Sequence, residues 1–348
     1  MQITTCCCDA DTGWSTPLPR ELDGPATLIL AFGPPGTSDA PFDDLRRAFP
    51  QSTLVGCSTA GQFIGGKLVE GGLAVAIVRF ERSRLAFAST AAWSRQHDGQ
   101  PLLDPEAGHA LAAQLPNDGL RAVLVLSDGT SVNGSRLALG LAAVLPRGVI
   151  IAGGLAADDT RFASTWVIDG GRQLAGRVVA VGFYGPDLVI GHGSRGGWDR
   201  FGPERLVTRS RDNVLFELDG RPALQLYKEY LGERQRELPS AALLFPLALR
   251  EPGGQRSVVR TILSIDEADQ SMTFAGDVPT GAHAQLMRAN FERLIQGASD
   301  AAAASAVTPA SGPSLALAVS CVGRRMVLRD RVEEEIEATI DSLSPGTT

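Results

Sequence analysis

The sequence lacks any long uninterrupted hydrophobic run. No window approaches the roughly 20 apolar residues that a helix needs to cross a bilayer. The first residues, Met1–Thr5, also lack the positive charge and the apolar core of a secretory signal peptide. We therefore expect a cytoplasmic protein with no membrane insertion.

Cysteine is scarce and lacks the spacing of a disulfide framework or a zinc knuckle. The chain has five cysteines, an odd number, and three are adjacent at Cys6, Cys7 and Cys8. Adjacent side chains in an extended segment point in different directions, and no CxxC pair is present. This usage favours a reducing compartment and argues against a metal site.

The chain also lacks an excess of positive charge. With 32 Lys and Arg against 39 Asp and Glu, its formal net charge is −7, which provides no global attraction for nucleic acid or acidic lipid. The segment Gly33–Thr37 is glycine-rich but lacks the lysine of a GxxxxGK[ST] phosphate loop. Nucleic-acid and nucleotide binding are therefore not expected.

What the sequence does contain is an internal duplication. Ser52–Phe63 and Gly148–Asp159 are each a short apolar run that ends in glycine and small residues. Each follows an apolar run and a helical segment, and each precedes a candidate hairpin. The predicted hairpins are Leu73–Phe80 with Leu85–Thr90 and Val178–Phe183 with Leu188–Ile190.

The duplication predicts layered mixed sheets with helices, between the α/β and α+β classes. Strand-helix-strand-hairpin units are expected over about residues 27–90 and 121–190, with their glycine ends in equivalent positions. Residues 1–24 are polar and rich in cysteine and proline, which predicts a loosely packed N-terminal segment with at most one short strand.

The C-terminal third predicts a different set of elements. They are a helix from Pro222 to Gly232, a strand at Ala242–Phe245, a hairpin of Val258–Ile265 with Met272–Ala275, and a helix from about Ala282 to Ala304. The last part restarts the repeated unit with a strand at Ser314–Ser320, a loop to Arg329 and a helix at Val332–Leu343. The next strand of that unit is not found before Thr348, so an uncovered sheet edge is expected.

Six motifs, in order along the chain, resemble the FIST sensory family. They are Val55–Gly61, Gly153–Asp159 with Arg161–Thr165, Glu217–Leu224, Tyr230–Gly232, Phe245–Leu247, and Ser320–Arg324 with Glu333–Glu335. The resemblance implies a FIST N-like domain at 25–217 and a FIST C-like domain at 218–348. The family's usual ending, a Gly-Phe-Tyr-x-Tyr-Gly-Glu strand, is absent, which fits the incomplete last unit.

The resemblance also implies a function. FIST proteins are regarded as bacterial or other prokaryotic signal-input modules for small ligands. Some members are haem-binding nitric-oxide sensors that act on a histidine kinase or a cyclic-di-GMP enzyme. Because no transmitter domain is visible here, such a signal would pass to the partner by protein contact. The expected protein is a sensor without catalytic activity.

His192 is the candidate haem ligand. It lies among glycines after a predicted strand, where the backbone can approach a flat ligand, and neutral imidazole is a normal axial ligand of haem iron. Arg195 would then pair with a propionate. The alternative is a solvated turn histidine. His97, His109 and His283 gain no support from spacing, and His283 is expected at the exposed start of a helix.

Cys57, Ser58 and Thr59 end the first motif strand. A cysteine in such a position can act as a nucleophile, but no histidine or acid follows at motif spacing. A small buried cysteine that packs or lines a pocket is the favoured alternative. The equivalent Gly153 and Gly154 are expected beside the same ligand cleft, near a pseudo-twofold axis.

Charged residues complete the predicted ligand site. Asp158 either lends charge to the pocket or caps a loop. Arg324, after Cys321, is an anion candidate together with Arg325, and the alternative is a surface pair in salt bridges. The run Glu333–Glu335 indicates a solvated helix face. Three functions remain open: a ligand sensor, a cysteine-dependent enzyme, and a scaffold that binds no ligand.

Overall fold

The computed structural model describes residues 1–69, 71–92, 105–159, 161–238, 240–255, 257–307 and 312–348. Up to Tyr184 the chain forms two units of similar design. The first contains β1 (Gln2–Asp9), β2 (Gly13–Trp14), β3 (Thr27–Gly33), α1 (Ala40–Ala48), β4 (Thr53–Ser58), β5 (Gln62–Ile64), β6 (Lys67–Val69) and β7 (Leu73–Arg79). The second contains β8 (Arg84–Ala91), α2 (Pro105–Gln114), β9 (Leu120–Ser127), α3 (Gly134–Val144), β10 (Ile150–Leu155), β11 (Val167–Asp169), β12 (Arg172–Leu174) and β13 (Arg177–Tyr184).

A separate C-terminal domain follows. Its strands are β14 (Trp198–Arg200), β15 (Arg205–Arg211), β16 (Val214–Leu218), β17 (Arg221–Pro222), β18 (Leu247–Arg250), β19 (Ser257–Arg260), β20 (Ile262–Asp266), β21 (Ser271–Phe274) and β22 (His283–Ala289). Its α-helices are α4 (Ala223–Leu231), α5 (Phe291–Ala304), α6 (Val322–Leu328) and α7 (Val332–Asp341). Within the described ranges, no helix combines the length and apolarity that crossing a membrane requires.

The two N-terminal units stack as layers. One sheet has the strand order β12-β11-β4-β3-β7-β1-β2 and the other has the order β10-β9-β13-β8. Leu28, Leu30 and Val55 of the first sheet pack on Leu124 and Val181 of the second. α1 covers the outer face of the first sheet, and α2 and α3 cover the outer face of the second. This arrangement confirms the predicted layered mixed sheets with helices.

The predicted duplication is confirmed by strand order and register. In each unit the central strand lies between a parallel neighbour and an antiparallel one, as β4-β3-β7 and as β10-β9-β13. Gly56 lies opposite Ala31, and Gly153 lies opposite Val125 at the equivalent step of the ladder. The glycine ends of the two motifs therefore occupy equivalent positions.

Both predicted hairpins are wrong in their pairing. β7 pairs with β1 and β3, whereas β8 crosses to the other sheet and pairs with β13. Residues 188–190 form no strand. Each unit instead carries an earlier small hairpin, β5-β6 in the first and β11-β12 in the second. Hydrophobic periodicity identifies a strand but does not specify a partner distant in sequence.

The N-terminal segment is better packed than the sequence suggests. β1 pairs with β7 from Gln2 to Cys8, and Cys6 and Cys8 are buried in the core beneath α1. The polar composition hides this strand because only alternate residues face the core. β1 pairs with β7 in the first unit, and β8 pairs with β13 at the equivalent position in the second. β1 and β8 are therefore the first strands of their units, so each unit begins one strand earlier than predicted.

The C-terminal domain is built on one antiparallel sheet. Its main order is β19-β18-β22-β15-β16-β21-β20, and α4 packs on it through Leu224 and Tyr227. As predicted, α4 follows Pro222 and ends at Gly232, which has a φ of 57°. The β20-β21 hairpin is also present, although β19 belongs with β18 and not with this hairpin.

Two C-terminal predictions are wrong about the type of element. Ser240–Leu244 is a 3-10 helix, and the strand β18 begins only at Leu247. The predicted helix from Ala282 begins as a strand, because β22 fills the centre of the sheet between β18 and β15. α5 starts only after Asn290, whose side chain accepts the backbone N–H of Arg293. Sheet pairing overrides the helix-forming composition of β22.

The end of the chain resembles the start of a third unit. Residues 314–320 are not a regular strand, and α6 occupies most of the predicted loop 321–329. Ser314 and Thr347 nevertheless form a parallel bridge. β3 and β4 are likewise parallel and are connected through a helix, and so are β9 and β10. The end of the chain repeats this arrangement in reduced form.

Candidate functional site

The two motif ends meet at the edges of the stacked sheets. Ser58 is fully buried, and its backbone N–H donates to the Trp166 carbonyl at 2.9 Å. The Ser58 carbonyl accepts the N–H of Ala157 at 2.9 Å, and its Oγ accepts the N–H of Trp166 at 3.2 Å. Thr59 Oγ1 donates to Gln62 Oε1 at 2.7 Å. Hydrogen bonds thus join the first motif to Ala157 of the second motif and to Trp166, which follows it.

Cys57 lies in the core between the sheets. It packs with Leu126, Ala156 and Val179 and is only 5% exposed. Burial raises the pKa of its thiol to about 12, so the thiolate is not populated at neutral pH. A nucleophilic cysteine needs an accessible thiolate. These properties fit the alternative of a packed core cysteine.

The motif glycines allow neighbouring strands to approach closely. A Cβ on Gly56 would lie 1.7 Å from the Ala31 carbonyl oxygen, and one on Gly153 would lie 1.8 Å from the Val125 carbonyl oxygen. A Cβ on Gly154 would lie 3.2 Å from a methyl group of Val319. The C-terminal domain therefore covers the second motif at Gly154.

Asp158 organises a loop. Its carboxylate accepts the backbone N–H of Phe162 through Oδ1, and those of Ala163 and Ser164 through Oδ2. The carboxyl group is buried, and its acceptors are directed at its own chain. This geometry matches the capping alternative.

Asp128 has a similar role that sequence reasoning missed. Its Oδ1 accepts the N–H and hydroxyl of both Thr130 and Ser131, and its Oδ2 accepts the Thr165 hydroxyl and the Gly176 N–H. Burial acts to raise the pKa of Asp128, but these hydrogen bonds outweigh burial and hold the pKa below its usual range. The signal in the sequence was an aspartate at a strand end followed by Gly, Thr and Ser.

Arg324 is engaged in a buried ion pair. Its Nε donates to Glu335, and both side chains are 8% exposed. Its remaining nitrogens donate to the carbonyls of Gly196 and Leu294. The prediction of a fully solvated acidic face is therefore wrong at Glu335, which also accepts the Ser320 hydroxyl. Arg324 joins α6 to α7, to α5 and to the segment before β14.

Arg325, the next residue, faces the first motif. We call residues 58–62 the junction loop. A Cβ on Gly61 of this loop would lie 2.0 Å from a guanidinium nitrogen of Arg325, so the side chain packs directly on the Gly61 backbone. Within the described ranges the guanidinium has no ion pair or hydrogen bond. Cys321, at the start of α6, is exposed.

His192 and Arg195 lie away from the junction loop, on a segment that packs on α5. A Cβ on Gly191 would lie 1.8 Å from the Ser305 carbonyl oxygen, and one on Gly193 would lie 1.9 Å from that of Ala301. The glycines that flank His192 thus serve close packing on α5. His192 and Arg195 are both exposed.

The other histidines are dispersed. His109 is exposed on α2, and His97 lies outside the described residues. His283 begins β22 and not a helix, and its Nδ1 is buried without a hydrogen-bond partner in the described structure. Among the described residues, no group of three His, Cys, Asp or Glu side chains could hold a metal ion.

The fold and the junction define a two-domain protein in which a duplicated N-terminal domain meets a C-terminal domain at its motif loops. The chain matches the FIST N domain over residues 27–221 and the FIST C domain over residues 223–347. It belongs to the FIST family. FIST domains are signal-transduction sensor domains that bind small ligands.

One curated relative is similar over much of the chain. It is an uncharacterized protein of Methanocaldococcus jannaschii, with 24% identity over 284 residues. The match covers 74% of this chain and 53% of that protein, so the chain spans about half the length of the curated relative that it matches. The name of that relative states no activity, and the family match carries the functional assignment.

Proposed function

We propose that this chain is a cytoplasmic sensor that binds a small anionic ligand between the junction loop and α6. It reports the ligand by contact to a separate histidine kinase or cyclic-di-GMP enzyme and has no catalytic activity of its own. The observation that carries the proposal is the Arg325 guanidinium, which lies on the Gly61 backbone and has no carboxylate partner among the described residues. Five free cysteines support a reducing cytoplasm.

The local chemistry favours an anion. A guanidinium presents several N–H donors in one plane, which suits a carboxylate or phosphate group. The backbone N–H groups of Ala60 and Gly61 have no acceptor in the described ranges, so both can donate to the same ligand. By contrast, Glu335 already neutralises Arg324. Of the two adjacent arginines that the sequence offers as anion ligands, we therefore assign this role to Arg325.

The position of the site supports a sensing role. The junction loop belongs to the N-terminal domain and Arg325 belongs to α6 of the C-terminal domain. Gly66, in the β5-β6 hairpin, also lies against Ile340 of α7. An anion held by both sides would bias the contact between the domains. Arg324 would pass a shift of α6 to α5 and α7, because it is bonded to both.

Thermal unfolding tests the proposal. Acetate, succinate and inorganic phosphate are added separately to wild type, Arg325→Gln and the control Arg236→Gln, with chloride at equal ionic strength as the reference. A ligand that binds only the folded state at about 100 times its Kd stabilises it by about 2.7 kcal/mol. We expect at least one anion to raise the Tm of wild type and Arg236→Gln but not of Arg325→Gln. No response in wild type contradicts an anion of these classes, and an equal response in all three contradicts the role of Arg325.

Haem-based nitric-oxide sensing is the narrower form of this proposal, with His192 as the iron ligand and Arg195 beside a propionate. The His192 imidazole is exposed and makes no hydrogen bond within the described ranges, so it is free to bind iron. The glycines on either side of it pack on the backbone of Ser305 and Ala301, so the close approach that they allow is already taken by α5 and its C-terminal cap. We expect weak haemin binding at most.

Haemin titration separates the two forms of the proposal. A Soret band that appears with wild type and His109→Ala but not with His192→Ala supports His192 as the ligand. An equal band in all three eliminates His192. No band in wild type removes haem and leaves the anion proposal, which the thermal test addresses separately.

A further inference from the structure

A groove opens at the edge of the first sheet, beside β2. It lies between the chain that follows β2 and the helix α1, and its volume is about 550 Å³. The residues that line it are Trp14, Pro17, Leu18, Arg20, Asp44 and Arg47. Sites for small molecules commonly measure about 300 to 1,000 Å³, so the groove has room for such a ligand.

The groove is separate from the junction loop. In the first sheet, three strands lie between β2 and the motif strand β4, in the order β4-β3-β7-β1-β2. Neighbouring strands are about 4.8 Å apart, which puts β2 roughly 19 Å from β4. A small ligand in the groove therefore does not reach the loop that follows β4, and the two sites can be tested independently.

The apolar part of the groove is held in place by the protein. Trp14 and Leu18 are half-buried and pack on the core beneath α1. The indole Nε1 of Trp14 donates to Asp44 Oδ2 at 3.0 Å, which fixes the orientation of the ring. Pro17 adds a residue of restricted backbone freedom. An aromatic ligand suits this surface, because pairs of aromatic rings attract each other beyond the area that they bury.

The polar residues of the groove carry a net positive charge, since two arginines accompany one aspartate. Arg20 is exposed, and within the described ranges its side chain has no hydrogen bond or ion pair. Arg47 donates to Asp44 Oδ1, and its Nε donates to the Asp43 carbonyl at 3.3 Å. The guanidinium of Arg20 is thus available to an external anion.

The aspartate does not cancel this preference. Both oxygens of Asp44 are engaged by the groove itself, Oδ2 by the Trp14 indole and Oδ1 by Arg47. A cationic ligand would therefore compete with these two donors and would also meet the charge of Arg20. A carboxylate has the geometry that a guanidinium binds best, through parallel N–H donors in one plane.

We propose that this groove binds a small aromatic carboxylate. The ring of the ligand packs on Trp14 and Leu18, its carboxylate bonds to Arg20, and Arg47 adds a second positive charge. Both parts of the ligand are required. An exposed ion pair alone contributes little in water, and the apolar surface alone does not select for charge.

Nuclear magnetic resonance of the full-length protein with ¹⁵N-labelled tryptophan tests the proposal at the groove itself. The indole N–H signal of Trp14 is assigned by its loss in Trp14→Phe. We expect phenylacetate to shift this signal to saturation. Acetate lacks the ring and phenylacetamide lacks the charge, so each should need an at least about tenfold higher concentration. A Trp14 signal that phenylacetate leaves unchanged, or that phenylacetamide shifts equally well, overturns the proposal.

Three arginine variants locate the carboxylate. Arg20→Gln should raise the Kd of phenylacetate by about tenfold, because it removes the free guanidinium and leaves the apolar surface intact. Arg172→Gln is the matched control: it changes an exposed arginine without a partner in the described ranges, on β12 at the other edge of the same sheet. Arg172→Gln and Arg325→Gln should both keep the wild-type Kd. An unchanged Kd in Arg20→Gln, or a loss of binding in Arg325→Gln, overturns the assignment.

Discussion

Asp128 accepts hydrogen bonds through both carboxylate oxygens from segments far apart in the chain. Its partners include Thr165, before β11, and Gly176, before β13. The sequence indicates a turn at this aspartate, but it does not indicate that residues 37 and 48 positions later complete the site. Local chemistry is readable from neighbours, whereas such long-range bonds follow only from the fold.

Asp128→Asn should destabilise the protein by about 1 to 3 kcal/mol at neutral pH, because several buried donors lose a charged acceptor. The folded-state pKa of Asp128 is lowered, so its stabilisation is fully present above the unfolded pKa of about 3.9. It is lost as the pH falls through the lower, folded-state pKa. Urea unfolding of wild type and Asp128→Asn, measured from pH 7 into the acid range, should show that the difference between their free energies of unfolding decreases as the pH falls.

The control is Asp266→Asn, which changes an exposed turn aspartate that accepts two backbone N–H groups. This variant should change the free energy of unfolding by less than about 1 kcal/mol. Equal effects at positions 128 and 266 would show that burial and the extra partners of Asp128 contribute nothing.

Cys57 should react slowly with iodoacetamide in the folded protein, because its thiol is buried and its pKa is raised to about 12. Cys321, whose side chain is exposed, should react before Cys57, although desolvation raises the pKa of its thiol as well. Mass spectrometry of digested, labelled protein distinguishes the two sites, and labelling in urea provides the fully accessible reference. Rapid selective alkylation of Cys57 would restore the hypothesis of a cysteine-dependent enzyme.

At the scale of elements, α5, α6 and α7 are held together by the Arg324–Glu335 pair. Arg324→Met should cost about 3 to 5 kcal/mol in unfolding free energy, because it leaves the Glu335 carboxylate buried and unpaired. The double variant Arg324→Met/Glu335→Leu should cost less, since neither charge then remains. Urea denaturation of both variants and wild type measures the difference.

The ion pairs of Arg331, just before α7, serve as an exposed comparison. Arg331 bonds Glu334 and Glu292 at the surface, so Arg331→Met should cost no more than about 1 kcal/mol. If the double variant at 324 and 335 is as unstable as Arg324→Met, the cost at Arg324 does not come from a stranded charge.

The elements also show how far the sequence predicts the fold. The duplicated strands and helices, α4 and the β20-β21 hairpin were predictable, since each rests on local periodicity or on proline and glycine signals. The pairing of β7 with β1 and of β8 with β13 was not, because the paired residues lie between 65 positions (Cys8 and Leu73) and 100 positions (Arg84 and Tyr184) apart in the chain. β22 was mistaken for a helix because its composition favours one and only the surrounding sheet decides otherwise.

The candidate site was predictable in part for the same reason. The motif loops were recognised from their glycines, and their equivalence followed from the repeat. The choice between Arg324 and Arg325 depended on Glu335 of α7, whose carboxylate accepts a hydrogen bond from Arg324. This contact arises only when α6 and α7 pack together. Two adjacent arginines look alike in sequence, and only their neighbours distinguish a buried ion pair from a free guanidinium.

At the scale of the whole molecule, the segment before β14 attaches the N-terminal domain to α5 through glycines. Gly193→Ala should destabilise the protein by about 1 to 3 kcal/mol, because the added methyl group meets the Ala301 carbonyl and backbone cannot yield easily. Gly196→Ala is the matched control, since the nearest atom lies 4.0 Å from its Cβ. Thermal unfolding that ranks the two variants equally would contradict close packing as the role of Gly193.

The β11-β12 hairpin has a consequence for the order of synthesis. β4 receives its outer neighbour from residues 167–174, more than a hundred positions later, so the first sheet cannot be completed when its own unit leaves the ribosome. A nascent chain that stops after β7 would present the apolar edge of β4 to other chains, which favours aggregation. Cleavage of the chain between β7 and β8 therefore should not separate the two units. Limited proteolysis at this point should give two fragments that remain associated.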